Sequence, residues 1–249
     1  MSSFLAALQF LTIISIPWRR EVQEVKLERC VVYFPVVGLI IGLVLSGLNW
    51  LFQFILPTEI ANALLLVSLV ILSGALHLDG FADTCDGLAS HKTVEDRWRV
   101  MRDSRVGGFG IVGVVLLLLV KYVTLNSIPE TVMMPSLVLM PVVSRWAMVY
   151  AIFAYPYARS SGLGKVFKQG TNWVGFTIAT LITVAGALAL AQLVGLMILV
   201  LIWVITVGLA AYFKRKFAGL TGDNYGAINE VSEASVLILI NLFIHIGLA

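Results

Sequence analysis

Long runs without charge alternate with short polar segments along the chain. Residues 31–56 carry no charge over 26 positions, and residues 60–78 form a second apolar block. Residues 109–129 form a third, interrupted only by Lys121, and residues 131–154 a fourth, containing Arg145. Residues 171–213 hold 43 positions without a charge. As helix that is about 65 Å, two crossings of a hydrocarbon core about 30 Å thick, divided by a turn near Ala191 and Gln192. Residues 231–249 close the series. The pattern predicts an all-α polytopic membrane protein with about seven transmembrane helices. The apolar stretch 4–16 is too short to cross and is expected to form an N-terminal interfacial or re-entrant helix. No positive charge precedes it and no small-residue cleavage site follows, so it is read as part of the mature protein.

Composition agrees: 59% of residues are hydrophobic and 12% charged, with a mean hydropathy of +0.96, where a soluble domain carries about a quarter charged residues. The lipid bilayer is therefore an expected partner. A net charge of +3 gives no reason to expect nucleic acid. Of the 17 Lys and Arg, all but Lys121 and Arg145 fall in segments 17–30, 79–108, 155–170 and 214–230. Under seven crossings these four segments share one side, which the positive-inside bias makes cytoplasmic. No linker or repeat divides the chain, so a single domain over 1–249 is expected. Cys30 and Cys85 lack metal-ligand spacing and are read as small buried fillers.

Three aspartates stand in "HLDGFADTCDG" (77–87), directly after the second apolar block. If helix continues past Leu78, Asp79, Asp83 and Asp86 are i, i+4 and i+7 and share a face. Two carboxylates about 6 Å apart repel by roughly 3 kcal/mol at an effective dielectric near 20. Proton sharing or a divalent cation must offset this. Carboxylate oxygens without a Cys set or His pair suit Mg²⁺ or Mn²⁺. Because Mg²⁺ usually completes its shell with substrate phosphates, a phosphorylated substrate follows.

In the next segment Thr93 is a plausible N-cap with Asp96 three residues on. Glu95, Asp96, Arg97 and Arg99 read as a solvated face. Asp103 continues that face at i+7 from Asp96, flanked by Arg102 and Arg105, and is expected to join the aspartates as a fourth ligand or a base. Arginines beside a metal are the natural grip on phosphate. Arg159 and Lys165 in "YPYARSSGLGKVF" and Asp223 in "GLTGDNYGA" face the same compartment. Arg145, inside a crossing, is functional or paired. Lys121 is expected to snorkel, Glu230 and Glu233 to favour the start of the last helix, and Lys214–Lys216 to mark topology and anchor at the lipid surface.

Six stretches in this order, "FPVVGLIIG" (34–42), "HLDGFADTCDG", "MRDSRVGGFG" (101–110), "SR" (144–145), "GLGKVF" (162–167) and "GLTGDNYGA" (219–227), resemble cobalamin synthase, the adenosylcobinamide-GDP ribazoletransferase family. The resemblance implies a Mg²⁺-dependent transferase integral to the prokaryotic cell membrane. Its substrates are adenosylcobinamide-GDP and α-ribazole or α-ribazole 5′-phosphate; its products are adenosylcobalamin or its 5′-phosphate, and GMP. On this basis Asp79, Asp83, Asp86 and Asp103 are expected at the metal, with Asp79 and Asp103 catalytic and His77 an open alternative as base. Arg102, Arg105, Arg145, Arg159, Lys165 and Asp223 are expected to bind substrate. Homo-oligomerisation is left open.

Membrane CDP-alcohol phosphotransferases share the opening D-x-x-D-G, matched by Asp83 to Gly87, but this chain has Ser90-His91 and Arg99 where their pattern continues with Ala-Arg and a further Asp. An intramembrane prenyltransferase needs a second Asp-rich motif, and Asp223 stands alone in its loop. A cation transporter would carry acids in mid-membrane broken helices, whereas the crossings read here are nearly free of acids.

Overall fold

The computed structural model describes residues 3–14, 27–90, 93–103 and 105–248. Arg19, Arg20, Lys26 and Lys92 of the basic partition, and Ser15 and Ile16 of the N-terminal stretch, lie outside the described residues. The elements are α1 (Ser3–Leu11), a 3₁₀ turn (Cys30–Tyr33) leading into α2 (Phe34–Ile55), α3 (Thr58–Leu72), α4 (Leu76–Ala89), α5 (Val94–Val100), α6 (Gly108–Asn126), α7 (Glu130–Ala154), α8 (Leu163–Gly170), α9 (Trp173–Phe217) and α10 (Gly222–His245). No strand occurs among the described residues, as expected where lipid cannot satisfy backbone groups. The fold is all-α, as the apolar pattern predicts.

α7 is the centre. Every residue from Ser136 to Val149 is buried, and the helix packs against α2, α9 and α10. Its contact with α2 is close because α2 offers two glycines four residues apart. A Cβ on Gly38 would stand 2.3 Å from the Pro141 carbonyl oxygen, and one on Gly42 2.5 Å from the Val138 Cα. Small residues at this spacing let helix backbones approach where lipid supplies no hydrophobic drive for association. The opposite extreme is α6, whose Ile111, Val115 and Leu119 face outward, the distribution expected of a lipid-facing helix.

Five helices are long and apolar enough to cross a membrane, six if α3 and α4 count as one broken crossing. α9 is not straight: Ala191 and Gln192 leave helical geometry, with Gln192 at φ 49°. A Cβ on Gly195 would lie 2.2 Å from the Ala187 carbonyl oxygen, although an unbroken helix would separate these residues by about 12 Å. The chain therefore reverses here, where the sequence places its turn. Seven crossings are reached only by counting both arms of α9 and the bent α3–α4 pair.

Helix does continue past Leu78, so Asp79, Asp83 and Asp86 share one helix, but that helix is not a straight extension of the second apolar block. α3 ends at Leu72, the chain turns through Gly74 and Ala75, both in the left-handed region, and α4 starts at Leu76 bent by 88°. α4 thus carries its aspartates across the end of the bundle, packed on α10 and α6.

The acid-free interior is also corrected. α10 begins at Gly222, so Glu230 and Glu233 stand inside the helix, not in its first turn. Lys121 does not snorkel: it is buried, with its Nζ 2.5 Å from Glu230 Oε2 and 2.6 Å from Glu233 Oε2. Arg145 pairs with the other Glu233 oxygen. Two cations and two anions balance in the core, which makes their burial tolerable.

Candidate active site

The site is assembled where α4 crosses the start of α10. At the crossing Gly80 touches Asp223 backbone to backbone: a Cβ on Gly80 would lie 2.9 Å from the Asp223 Cα. Thr221 caps α10, accepting from the Asn224 N–H at 3.2 Å, while the Asn224 side chain accepts from the Thr221 N–H at 3.0 Å. The same Asn224 amide donates to Thr84 of α4 at 3.1 Å, locking the two helices in register. Asp223 follows the cap, in a first turn whose free N–H groups favour a carboxylate.

The loop after α7 is pinned to this corner. Leu220 donates to the Pro156 carbonyl at 2.9 Å and Ala158 to the Leu220 carbonyl at 2.8 Å. That pairing delivers Arg159, whose Nη2 donates to Asp223 Oδ2 at 3.0 Å. Its Nε is buried without a partner. A cavity of about 280 Å³ opens beside the pair, with Asp79, Asp223, Arg159, His77, Tyr157 and Tyr225 on its wall. Burial pushes the Tyr157 phenol above its ordinary value and keeps it a neutral donor. The charges of Asp223, Asp79 and Asp86 all act on Asp83, leaving an acidic field that Arg159 only partly balances.

The four carboxylates expected at one metal are divided. Asp79 stands on the cavity wall, and Asp83, one turn further along α4 and half-buried, does not line it. Asp86 accepts from the Gly107 N–H at 2.7 Å and the Gly110 N–H at 2.8 Å, so both its oxygens cap α6. Asp103 lies beyond the end of α5, not on it. Arg105 holds it in a two-pronged pair, at 3.0 and 2.8 Å, which pulls its carboxyl down to about 2. It lines a separate shallow groove with Asp86 and Gly107. Among the described residues no three of His, Cys, Asp and Glu could hold a metal ion between them. Asp79 and Asp223 supply two hard oxygen donors on one wall, which fits Mg²⁺ in its usual habit of one or two carboxylates plus substrate phosphates.

Of the expected substrate contacts, Arg159 and Asp223 reach the cavity. The Arg102 charge acts on Tyr157 and so stands near it. Arg105 is engaged by Asp103. Lys165 Nζ donates to the Ser160 carbonyl at 2.7 Å, back onto its own loop. Arg145 is buried in the ion network below, with Nε and Nη2 unpartnered. Arg97 leaves the expected solvated face: it is buried and donates to the Gly87 and Leu88 carbonyls at 2.8 and 3.0 Å, closing the end of α4. Thr93 caps α5 as the sequence indicates. Phe34 opens one of the quoted stretches and Phe167 closes another, but nothing in the sequence joins them to Phe10 and Tyr157 on one cavity wall, because the four come from separate elements.

Fold and site together define a polytopic helical membrane protein with an acidic cavity at one end of its bundle. The chain belongs to the cobalamin-5-phosphate synthase family, whose model matches residues 3–241. It is 40% identical over 230 residues to an adenosylcobinamide-GDP ribazoletransferase of Geotalea daltonii, covering 92% of this chain and 93% of that protein. To a protein of the same name in Desulforamulus reducens it is 36% identical over 242 residues, covering 97% and 96%. No solved structure matches. The family resemblance drawn from the six motifs holds.

Proposed function

We propose that the chain is an adenosylcobinamide-GDP ribazoletransferase. It joins adenosylcobinamide-GDP and α-ribazole, or α-ribazole 5′-phosphate, into adenosylcobalamin or its 5′-phosphate, and releases GMP. Family membership and the names of the relatives support the reaction. The observation that carries it is the cavity wall shared by Asp79, Asp223 and Arg159, which sets carboxylates for a proton or cation beside a guanidinium for phosphate.

A ribose hydroxyl oxygen attacks the phosphorus next to cobinamide. The bond from that phosphorus to the bridging oxygen breaks, and GMP leaves with the electron pair. Asp79, the accessible carboxylate on the wall, takes the hydroxyl proton. Arg159 uses its unpartnered Nε on a phosphate oxygen while Nη2 stays on Asp223. Asp223 thereby orients the guanidinium and adds negative charge for a cation. Mg²⁺, with Mn²⁺ as the alternative, would be held by Asp79 and Asp223 with phosphate oxygens, and would neutralise charge developing on the diphosphate. The positive-inside bias of the basic segments supports a cytoplasmic orientation of this end of the bundle in a prokaryotic cell membrane.

The test is GMP release by the purified protein in detergent with both substrates, with and without Mg²⁺. Asp223→Asn is expected to lower the rate by at least about a hundredfold with helix content unchanged. Near-normal turnover in that variant would refute the assignment of the site.

A further inference from the structure

α4 crosses α10 on two glycines. Gly80 meets Asp223, and one turn further along α10 a Cβ on Gly226 would stand 3.0 Å from the His77 carbonyl oxygen and 3.2 Å from its Cα. Gly226, Asn229 and Glu233 are i, i+3 and i+7 and share a face of α10. His77 lines the cavity. Of all charges that of Arg145 acts on it most strongly, followed by those of Glu233 and Lys121. His77 thus joins the cavity to the buried ion network.

On the network side, Glu233 Oε1 accepts from Arg145 Nη1, and from Asn229 Nδ2 at 3.2 Å, so those two side chains meet at one oxygen. Arg145 Nε and Nη2, Asn229 Oδ1 and His77 Nε2 have no hydrogen-bond partner among the described residues. His77 is 2% exposed and the other two 0%. A buried polar atom left bare costs about 1–3 kcal/mol, and folded proteins rarely leave one so. The charges here are already balanced, Lys121 and Arg145 against Glu230 and Glu233, and Asn229 Oδ1 turns an acceptor toward any ligand. An anion is therefore disfavoured, and the group that satisfies these atoms is neutral and both accepts and donates. Water has that chemistry and makes about three hydrogen bonds when buried.

We infer that Arg145, Asn229 and His77 hold a buried water, and that this water fixes the His77 ring with its proton on Nδ1. The guanidinium fork donates to the water oxygen. Both water protons then remain to be donated, and Asn229 Oδ1 and His77 Nε2 accept them. With Nε2 bare, Nδ1 carries the N–H. His77 thereby offers bound substrate a hydrogen-bond donor for an oxygen and is not the base. Arg145 and Asn229 are positioning residues that act through it. The role toward substrate rests on the transferase reading above; the water and the tautomer do not. Tyr225 Oη and Ser232 Oγ, also unpartnered, are hydroxyls that donate or accept as needed and do not decide the tautomer.

The experiment uses the full chain in lipid nanodiscs with isotope-labelled histidine. His77 is one of three histidines, and its ring signals are those missing from His77→Asn. Nitrogen NMR near neutral pH is expected to show Nδ1 protonated and Nε2 bare, alike in chloride and in gluconate buffer. Arg145→Lys keeps the charge and removes the fork; Asn229→Leu keeps the size and removes the acceptor. In each, the single tautomer is expected to give way to a mixture, and kcat for GMP release to fall about tenfold, as for one lost hydrogen bond, with both KM values held. His77→Asn, whose amide N–H stands in for Nδ1–H, is expected to turn over about tenfold faster than His77→Leu. A wild-type ring protonated at Nε2, a spectrum that changes when chloride is withdrawn, or a tautomer unmoved in both variants would overturn the water site. Equal rates in His77→Asn and His77→Leu would overturn the donor role. The wild-type spectrum needs no variant, so a substitution that prevents folding leaves the test intact. A wild type that shows the single tautomer but releases no GMP would overturn the transferase reading and leave the water site standing.

Discussion

Gly80 is where two helices carrying carboxylates meet without a side chain between them. A methyl there would press on the Asp223 backbone at 2.9 Å, and backbone cannot rotate away as a side chain can. Gly80→Ala is expected to cost about 1–3 kcal/mol of stability as overpacking and to lower GMP release by displacing Asp223. Thermal denaturation and turnover measured together check both effects. Asp103 makes the opposite prediction. Its pair with Arg105 stands in solvent outside the cavity, and its carboxyl is pulled down to about 2. A depressed carboxyl favours the native state above its ordinary value and loses that effect only as pH falls toward the depressed one. Asp103 therefore contributes no pH dependence at neutral pH. Asp103→Asn is expected to leave the neutral pH–rate profile and the turnover in place; loss of an acidic limb in that variant would return Asp103 to the chemistry.

Buried charges join three of the helices. Lys121 on α6 meets Glu230 and Glu233 on α10, and Glu233 also meets Arg145 on α7. Lys121→Met leaves an uncompensated anion in the core and is expected to destabilise the bundle by about 3–5 kcal/mol. Adding Glu230→Gln restores neutrality and is expected to recover part of the loss, which thermal melts of the single and double variants measure. The α4 helix depends on a different fastening. Its C-terminal carbonyls at Gly87 and Leu88 are satisfied by Arg97 from α5. The aspartate spacing was legible, because i, i+4 and i+7 is a local property of one helix. The 88° bend before it was not. It turns through a left-handed Ala75, which no local pattern announces and which the packing of α4 on α10 holds in place.

Across the bundle, one end gathers α4, α5, α8 and the start of α10, and with them Arg97, Arg102, Arg105, Arg159 and Lys165. Single-cysteine probes at Glu59 and at Glu130, which open α3 and α7 at the other end, are expected to be labelled from outside the cell, and a probe at Lys165 only after permeabilisation. Cys30 is buried and Cys85 half-buried, so background labelling is low. A Lys165 probe labelled in intact cells would invert the assigned orientation.

The helical class, the apolar blocks and the break at Ala191–Gln192 were set by the sequence alone. A bilayer acts as a solvent with a fixed thickness, so charge-free length is a one-dimensional criterion that needs no tertiary contact. Motif order likewise carried the family. Partnership was decided only in three dimensions. Glu230 and Glu233 stand 109 and 112 residues from Lys121, too far for any local period to pair them. Asp86 and Asp103 carry the same side chain as Asp79, yet one caps α6 and the other binds Arg105, because a carboxylate takes whichever donors the fold brings within reach. Three phenylalanines from α1, α2 and α8 become one wall of the cavity for the same reason: a pocket is a property of surfaces that meet, and a linear pattern records each surface separately.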